Sequence, residues 1–223
     1  MNKWLLSVVV ACLCVPVWGV ADEVSPAAPQ QYEAGKQYQV LAEPVRTANP
    51  DKIEVNEVFW YGCSHCYQFE DMLESWAQQL PADVVFERTP AIWQPVMEVH
   101  ARAYYVAKQL GVLDKMHRVL FKTMHVEKHP LENEDQLASL FVANGVDEAA
   151  FRKAFNSFSV QSLVRQGDAR VRAYGIEGTP EIIVNGKYRV TGRDAGGGHQ
   201  GMLNVVNFLV AKERQAIAQS KKP

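Results

Sequence analysis

The sequence holds no run of Lys or Arg long enough to follow a phosphate backbone. Its net charge of −2 and isoelectric point near 6.3 give nucleic acid no electrostatic footprint. Cysteine is scarce, four among 223 residues, so the core must form by apolar burial without a disulfide framework. An uninterrupted apolar run of about 20 residues, the length a helix needs to span a bilayer, is missing as well. No segment repeats. What is there is an ordinary globular composition, 48% apolar, in a chain long enough for one large domain or one domain carrying an insertion.

The longest apolar stretch, Trp4 to Trp18, follows Lys3 and runs into the small residues Gly19 and Ala21. Its charged start, short apolar middle and small-residue exit are those of a secretory signal peptide, residues 1–21, and Pro16 favours cleavage over continuation. The cut is expected after Ala21. A lipoprotein site at Cys12 is the alternative, although the apolar run before it is then unusually brief. Residues 22–38 contain Pro26, Pro29 and Gly35 and show no apolar periodicity. They are expected to form a flexible N-terminal arm that adds little to the fold.

Removing the leader takes Cys12 and Cys14 with it and leaves Cys63 and Cys66, in an oxidising compartment. A pair so close in sequence cannot tie distant parts of a fold together. Closing so small a loop also removes little denatured-state entropy. Chemistry explains the pair better than stapling does.

Ile53 to Tyr61 is rich in β-branched and aromatic residues and predicts a strand ending at Gly62. From Cys63 onward Phe69, Met72, Leu73, Trp76 and Leu80 recur at helical spacing until Pro81. A second strand, Val84 to Arg88, follows, and the two strands of such a βαβ unit are expected to be parallel with a right-handed crossover. Helical patterns then cover Val99–Leu110, Leu113–Thr123, Glu134–Ala143, Glu148–Asn156 and Val160–Tyr174. Strands return at Glu181–Val184 and Tyr188–Thr191, flanking Asn185-Gly186, the dipeptide most favoured in a type I′ hairpin turn. A last amphipathic helix is expected from Gln200 to Gln219. The order predicts an α/β domain in two parts, residues 39–95 and 175–223, interrupted by a helical domain at 96–174.

Cysteines at i and i+3 on the first helical turn share a face, near enough for their sulfurs to bond. Cys63 then sits where unpaired N–H groups and the helix dipole favour an anion, so its thiolate is stabilised, and the disulfide becomes more oxidising, the direction established for Cys-x-x-Cys oxidoreductases. Cys66 is the natural resolving thiol. His65, within one turn of both sulfurs, is the candidate tuner, with a partly exposed helix-start histidine as the plainer alternative. Glu57 lies in the first predicted central strand, where side chains are ordinarily apolar. A buried carboxyl there has a raised pKa and can take and return the proton of Cys66. The alternative is a strand-end glutamate reaching water, the fate expected of Glu54. The stretch Gly178-Thr179-Pro180-Glu181 precedes the hairpin, and on spacing alone an ordinary strand-start proline competes with a cis peptide.

Glu57 to Glu70 (Glu-Val-Phe-Trp-Tyr-Gly-Cys-Ser-His-Cys-Tyr-Gln-Phe-Glu), Gly178-Thr179-Pro180, Val184 to Tyr188 and Asn156-Ser157-Phe158 together resemble the DsbA family of periplasmic thiol:disulfide oxidoreductases, over nearly the whole mature chain. The resemblance implies a thioredoxin fold interrupted by a helical domain, an exposed nucleophilic Cys63, a buried Cys66, a cis Pro180 opposite the redox-active disulfide and a carboxyl at Glu57 beneath it. It further implies donation of the Cys63–Cys66 disulfide to unfolded exported proteins, and reoxidation by a quinone-linked membrane oxidase similar to DsbB. No cofactor enters such chemistry, and a monomer is expected. Two residues depart from the family pattern on the surface that meets the substrate. Ser64 replaces the usual proline between the cysteines, and Thr179 stands where valine is commonest before the cis proline, as in related disulfide isomerases.

Other signals are weaker. His125 and His129, with Glu127, His117 and His100, suggest a metal site by spacing, but Pro130 ends their helix, and polar histidines on a solvated helix end account for them better. Zinc at Cys63 and Cys66 would need two further ligands at finger-like spacing. Most of Trp60, Tyr61, Trp76 and Tyr104-Tyr105 are expected to be core, and Trp93, in a Pro-flanked loop, is the one of this group expected to be exposed, with a packed loop as the alternative. Two competitors to the oxidase remain. One is a reductase or isomerase kept reduced by another partner, against which stands the lack of a dimerisation domain ahead of Ile53. The other is a periplasmic peptide-binding or chaperone module whose disulfide caps a helix.

Overall fold

The computed structural model describes residues 31–220. The expected leader with Cys12, Cys14 and the Ala21 cut, and the first part of the arm, lie outside those residues. Strand β1 is Gln39–Val40, β2 is Ile53–Phe59, helix α1 is Ser64–Ala77 and β3 is Val84–Pro90. Every residue of β2 is buried. β2 and β3 run parallel in the register Ile53↔Val84 to Phe59↔Pro90, as the short βαβ pattern predicts.

Five helices follow before the sheet resumes: α2 (Pro95–Gln109), α3 (Leu113–His125), α4 (Glu134–Ala143), α5 (Glu148–Phe155) and α6 (Phe158–Ala173). Their starts are set locally. Pro95 occupies the first turn of α2, where a missing N–H costs nothing, and the side chains of Asn133, Asp147 and Ser157 cap α4, α5 and α6. Strands β4 (Glu181–Val184) and β5 (Tyr188–Thr191), the short helix α7 (Gly192–Ala195) and the long α8 (Gly198–Ser220) complete the described residues.

The sheet order is β1-β5-β4-β2-β3, mixed in direction, with β4 antiparallel to both β2 and β5. At the hairpin tip Asn185 and Gly186 adopt φ of 50° and 61°, the left-handed pair that a type I′ turn demands. Glycine is required there twice over, since a side chain at Gly186 would overlap the Val45 carbonyl. That approach lets the Val45 N–H bond the Gly186 carbonyl at 2.8 Å, so residues 41–45 strap the hairpin.

Three apolar clusters meet at the sheet. One joins Val55, Phe69, Leu73, Ile182 and Leu209, between the sheet, α1 and α8. A second gathers Val58, Met97, Val171, Tyr174 and Ile183 on the opposite face. The third is the helical core, Phe121, Phe141 and Phe151 among others, and it reaches back to Phe59, Tyr61 and Cys66. The redox helix therefore starts on the seam between sheet and helices.

Three expectations are corrected. The end of the arm is fixed, because Tyr38 is buried at 3% exposure and sets its ring edge-on to Tyr188, 5.6 Å between centroids, just ahead of a β1 too short to show a period. Glu54 is buried rather than solvated. Its carboxylate accepts the Ala48 N–H at 3.1 Å and faces Arg170 at 3.5 Å. His100 and His117 are likewise interior, at 2% and 3% exposure, and each has a hydrogen-bonding task. Trp93 is exposed, as its loop suggested.

Candidate active site

The strand β2 delivers the chain to Trp60-Tyr61-Gly62, where a side chain at Gly62 would collide with the Trp60 indole. The Trp60 ring is held in place by donating Nε1–H to His100 Nδ1 at 2.9 Å, while His100 Nε2 bonds the Pro130 carbonyl at 3.0 Å. The turn presents Cys63 as the N-cap of α1, in extended conformation, with its Sγ accepting the Cys66 N–H at 3.4 Å. Both cysteines are free thiols, Cys63 half-buried and Cys66 fully buried. Across the gap the Cys63 thiol donates to the Thr179 carbonyl at 3.2 Å, and the Thr179–Pro180 peptide is cis.

The two sulfurs have opposite acidities. The Cys63 pKa falls to about 5, because the Cys66 thiol hydrogen-bonds its sulfur and the Thr179 side chain and the N–H groups of Cys66 and His65 add to that against partial burial. Burial pushes Cys66 well above the ordinary thiol value, and its bond to Cys63 and the nearby Glu57 charge push the same way. At neutral pH the pair is one thiolate and one thiol. His65 contributes to the thiolate through its backbone. Its ring is exposed and lines a cavity of about 490 Å³ beside the dithiol, together with Thr179, Pro180, Glu181 and His199. His199 stacks on Phe69 with ring centroids 4.5 Å apart.

Glu57 lies beneath the thiols, 1% exposed. It does not stand alone. Arg88, its partner in the strand register, places Nε 3.1 Å from Glu57 Oε2 and turns a terminal nitrogen to Glu70 at 3.0 Å and Glu74 at 3.3 Å. Glu70 in turn meets His117 Nε2 at 3.3 Å, and His117 Nδ1 bonds the Tyr61 hydroxyl at 2.7 Å. Glu57 Oε1 is buried without a hydrogen-bond partner. Burial raises the Glu57 pKa, only partly countered by Arg88, whereas Glu70 is lowered because the His117 bond and the Arg88 charge outweigh its burial. Burial also lowers His117, against the raising effect of its bond to Glu70.

The structure thus brings Cys63, Cys66, Thr179 and Pro180 together at the surface, with Glu57 below and the His65 ring at the edge. Arg88, Glu70, Glu74, His117, His199 and Glu181 were not foreseen as part of this surrounding. A signal existed for Arg88, a cation at the last position of the expected strand Val84–Arg88, two residues before Pro90. Glu70 lies two helical turns beyond Cys63 on the buried face of α1, a spacing that puts both on one side of a helix.

A Cys-x-x-Cys pair at the start of the helix that follows a central strand of a mixed sheet, facing a cis proline, defines a dithiol:disulfide oxidoreductase of thioredoxin fold. The family model described as a DSBA-like thioredoxin domain matches residues 83–196. The thiol:disulfide interchange protein DsbA of Azotobacter vinelandii is 37% identical over 217 residues, 97% of this chain and 100% of the relative. Among solved structures, DsbA of Pseudomonas aeruginosa superposes with a TM-score of 0.81 at 37% identity, covering 84% of this chain and 97% of that one. The oxidoreductase DsbA of Xylella fastidiosa gives 0.77 at 32% identity, covering 82% and 98%. The chain belongs to the DsbA family of thiol:disulfide interchange proteins.

Proposed function

We propose that the chain is a periplasmic disulfide oxidase that donates its Cys63–Cys66 disulfide to newly exported proteins. The observation that carries this reading is the split between a Cys63 thiolate and a buried Cys66 thiol. A dithiol stabilised as a thiolate makes its disulfide a strong oxidant and makes Cys63 a good leaving group. A substrate thiolate attacks Cys63 Sγ and the Cys63–Cys66 bond breaks, giving a mixed disulfide and a Cys66 thiolate that takes up a proton. A second substrate thiolate then attacks the substrate sulfur of the mixed disulfide and expels the Cys63 thiolate. Two electrons pass from substrate to chain, and a quinone-linked membrane oxidase of the DsbB kind removes them.

Glu57 is placed to accept and return the Cys66 proton. Its raised pKa, its unpartnered oxygen and its effect on Cys66 support that role. Thr179 and Pro180 form the edge against which substrate docks, and His65 tunes the thiolate. We place the helical insertion at 96–174, consistent with α2 starting at Pro95 and α6 ending at Ala173. Cleavage after Ala21 would release the mature chain, and no helix among the described residues is long and apolar enough to cross a membrane. A monomer suits a donor that must reach unfolded clients.

The test is the redox equilibrium of the Cys63/Cys66 pair with glutathione. A pair far more oxidising than glutathione is expected, and a reducing pair would establish a reductase or isomerase instead. Loss of dithiol oxidation in Cys63→Ser completes the test, since a helix-capping disulfide would leave a peptide-binding module active.

A further inference from the structure

Thr179 meets Cys63 through its carbonyl, which accepts the thiol at 3.2 Å, and its side chain helps to lower the Cys63 pKa. Besides Glu181, Arg189 holds the turn that carries it, at the Gly175 carbonyl and the Glu177 carboxylate. Gly178 has no side chain, and Glu177 is exposed. The group that grips the Glu177–Gly178 backbone is Glu181. Its backbone is fixed on both sides, opposite Val58 in β2 and Thr191 in β5. Its side chain is interior, the residue being 4% exposed. From there Oε1 accepts the Gly178 N–H at 2.9 Å and the Glu177 N–H at 3.3 Å, so one carboxylate oxygen clasps two consecutive donors just before the cis proline.

Stability does not explain a carboxylate there. Oε2 is buried without a hydrogen-bond partner, and Arg189 Nε, 3.7 Å away and also unpartnered, is too distant to bond it. A buried carboxylate whose ion pair with Arg189 closes no nearer than 3.7 Å gains little against its desolvation, and an apolar residue would serve a strand start better. The carboxylate is needed for its two backbone bonds, and these act on the segment that touches the reacting sulfur.

We propose that Glu181 is a positioning residue for disulfide exchange: by clasping the Glu177–Gly178 backbone it sets Thr179 against Cys63 and fixes the wall of the adjoining cavity. The inference rests on the oxidase reading above and adds a residue to it. Glu181 touches neither sulfur and acts through Thr179.

The experiment follows the ultraviolet absorbance of the Cys63 thiolate against pH in the full mature chain, alongside kcat/KM for oxidation of a dithiol peptide. In Glu181→Ala the midpoint is expected to move up by about one pH unit, a tenfold change in the thiolate equilibrium, with kcat/KM falling by about the same factor. Glu181→Gln keeps an acceptor oxygen and restores most of both. A folded Glu181→Ala chain with the parental midpoint overturns the proposal, whatever its Tm, because a purely structural role moves Tm alone. Should the alanine chain not fold, Glu181→Asp carries the same test. Its shorter carboxylate cannot reach both N–H groups, so an unchanged midpoint there is equally fatal. The parental chain is the control. If it fails to oxidise the peptide, the oxidase reading falls; if it succeeds and the variants titrate as the parent does, only the role of Glu181 falls.

Discussion

Glu57 and Arg88 are Cα partners across parallel strands, and their side chains meet at 3.1 Å directly under the dithiol. Arg88 pairs with three carboxylates, Glu57, Glu70 and Glu74. Removing it leaves buried negative charge uncompensated, so Arg88→Met is expected to cost about 3–5 kcal/mol, read by urea denaturation of the oxidised chain. A loss under about 1 kcal/mol would show that the carboxylates relax by taking up protons.

Glu57→Gln keeps the shape and the bond to Arg88 but cannot carry a proton. Folding should be little affected, while the rate at which Cys66 is released and recaptured falls. Stopped-flow measurement of dithiol oxidation near neutral pH distinguishes this from a purely structural Glu57, for which stability would change and rate would not.

The reduced and oxidised chains should differ in their response to acid. Cys63 in the folded reduced chain titrates at about 5, below its ordinary 9.0. The stability this lends the reduced form is fully present above the ordinary thiol pKa and is lost as pH falls through about 5. The oxidised form has no thiol to titrate. The Tm advantage of the reduced over the oxidised chain should therefore shrink toward pH 5, and a gap independent of pH would contradict the low Cys63 pKa.

Thr179→Val removes the hydroxyl beside Cys63 and leaves the backbone carbonyl. The Cys63 midpoint should rise, and the pair should become less oxidising against glutathione. An unchanged midpoint would assign the whole effect to Cys66 and the helix N-terminus.

Tyr38→Ala tests the anchored end of the arm. Truncating a buried aromatic ring typically costs about 3 kcal/mol or more, and a loss of that size in thermal or urea unfolding is expected. A surface-like change of a few tenths would return residues 31–38 to the status of a loose arm.

Much of the architecture is local information and can be read from the chain. Glu134–Ala143, Glu181–Val184 and Tyr188–Thr191 match their patterns to the residue, because capping side chains and the Asn185-Gly186 turn mark their ends. The dithiol was equally plain. Hidden were polar groups whose partners come from far along the chain. Glu54 is buried by Arg170, 116 residues away, and His117 by Tyr61 and Glu70. Periodicity treats such residues as outward-facing since it registers polarity and not partnership. Glu181 was passed over for the same reason, its donors being backbone groups that every sequence has.

The burial of Cys66 in the helical core, with Cys63 on the seam, separates the two sulfurs by what can reach them. A dissolved thiol or an unfolded chain meets Cys63 alone, whereas Cys66 is available only to the sulfur one helical turn away. Electrons enter and leave through the same atom. Adventitious small thiols thus have a single place to attack, and any adduct they form stands within reach of an internal thiol that can expel it, so that the chain can clear its own blocked state without a helper.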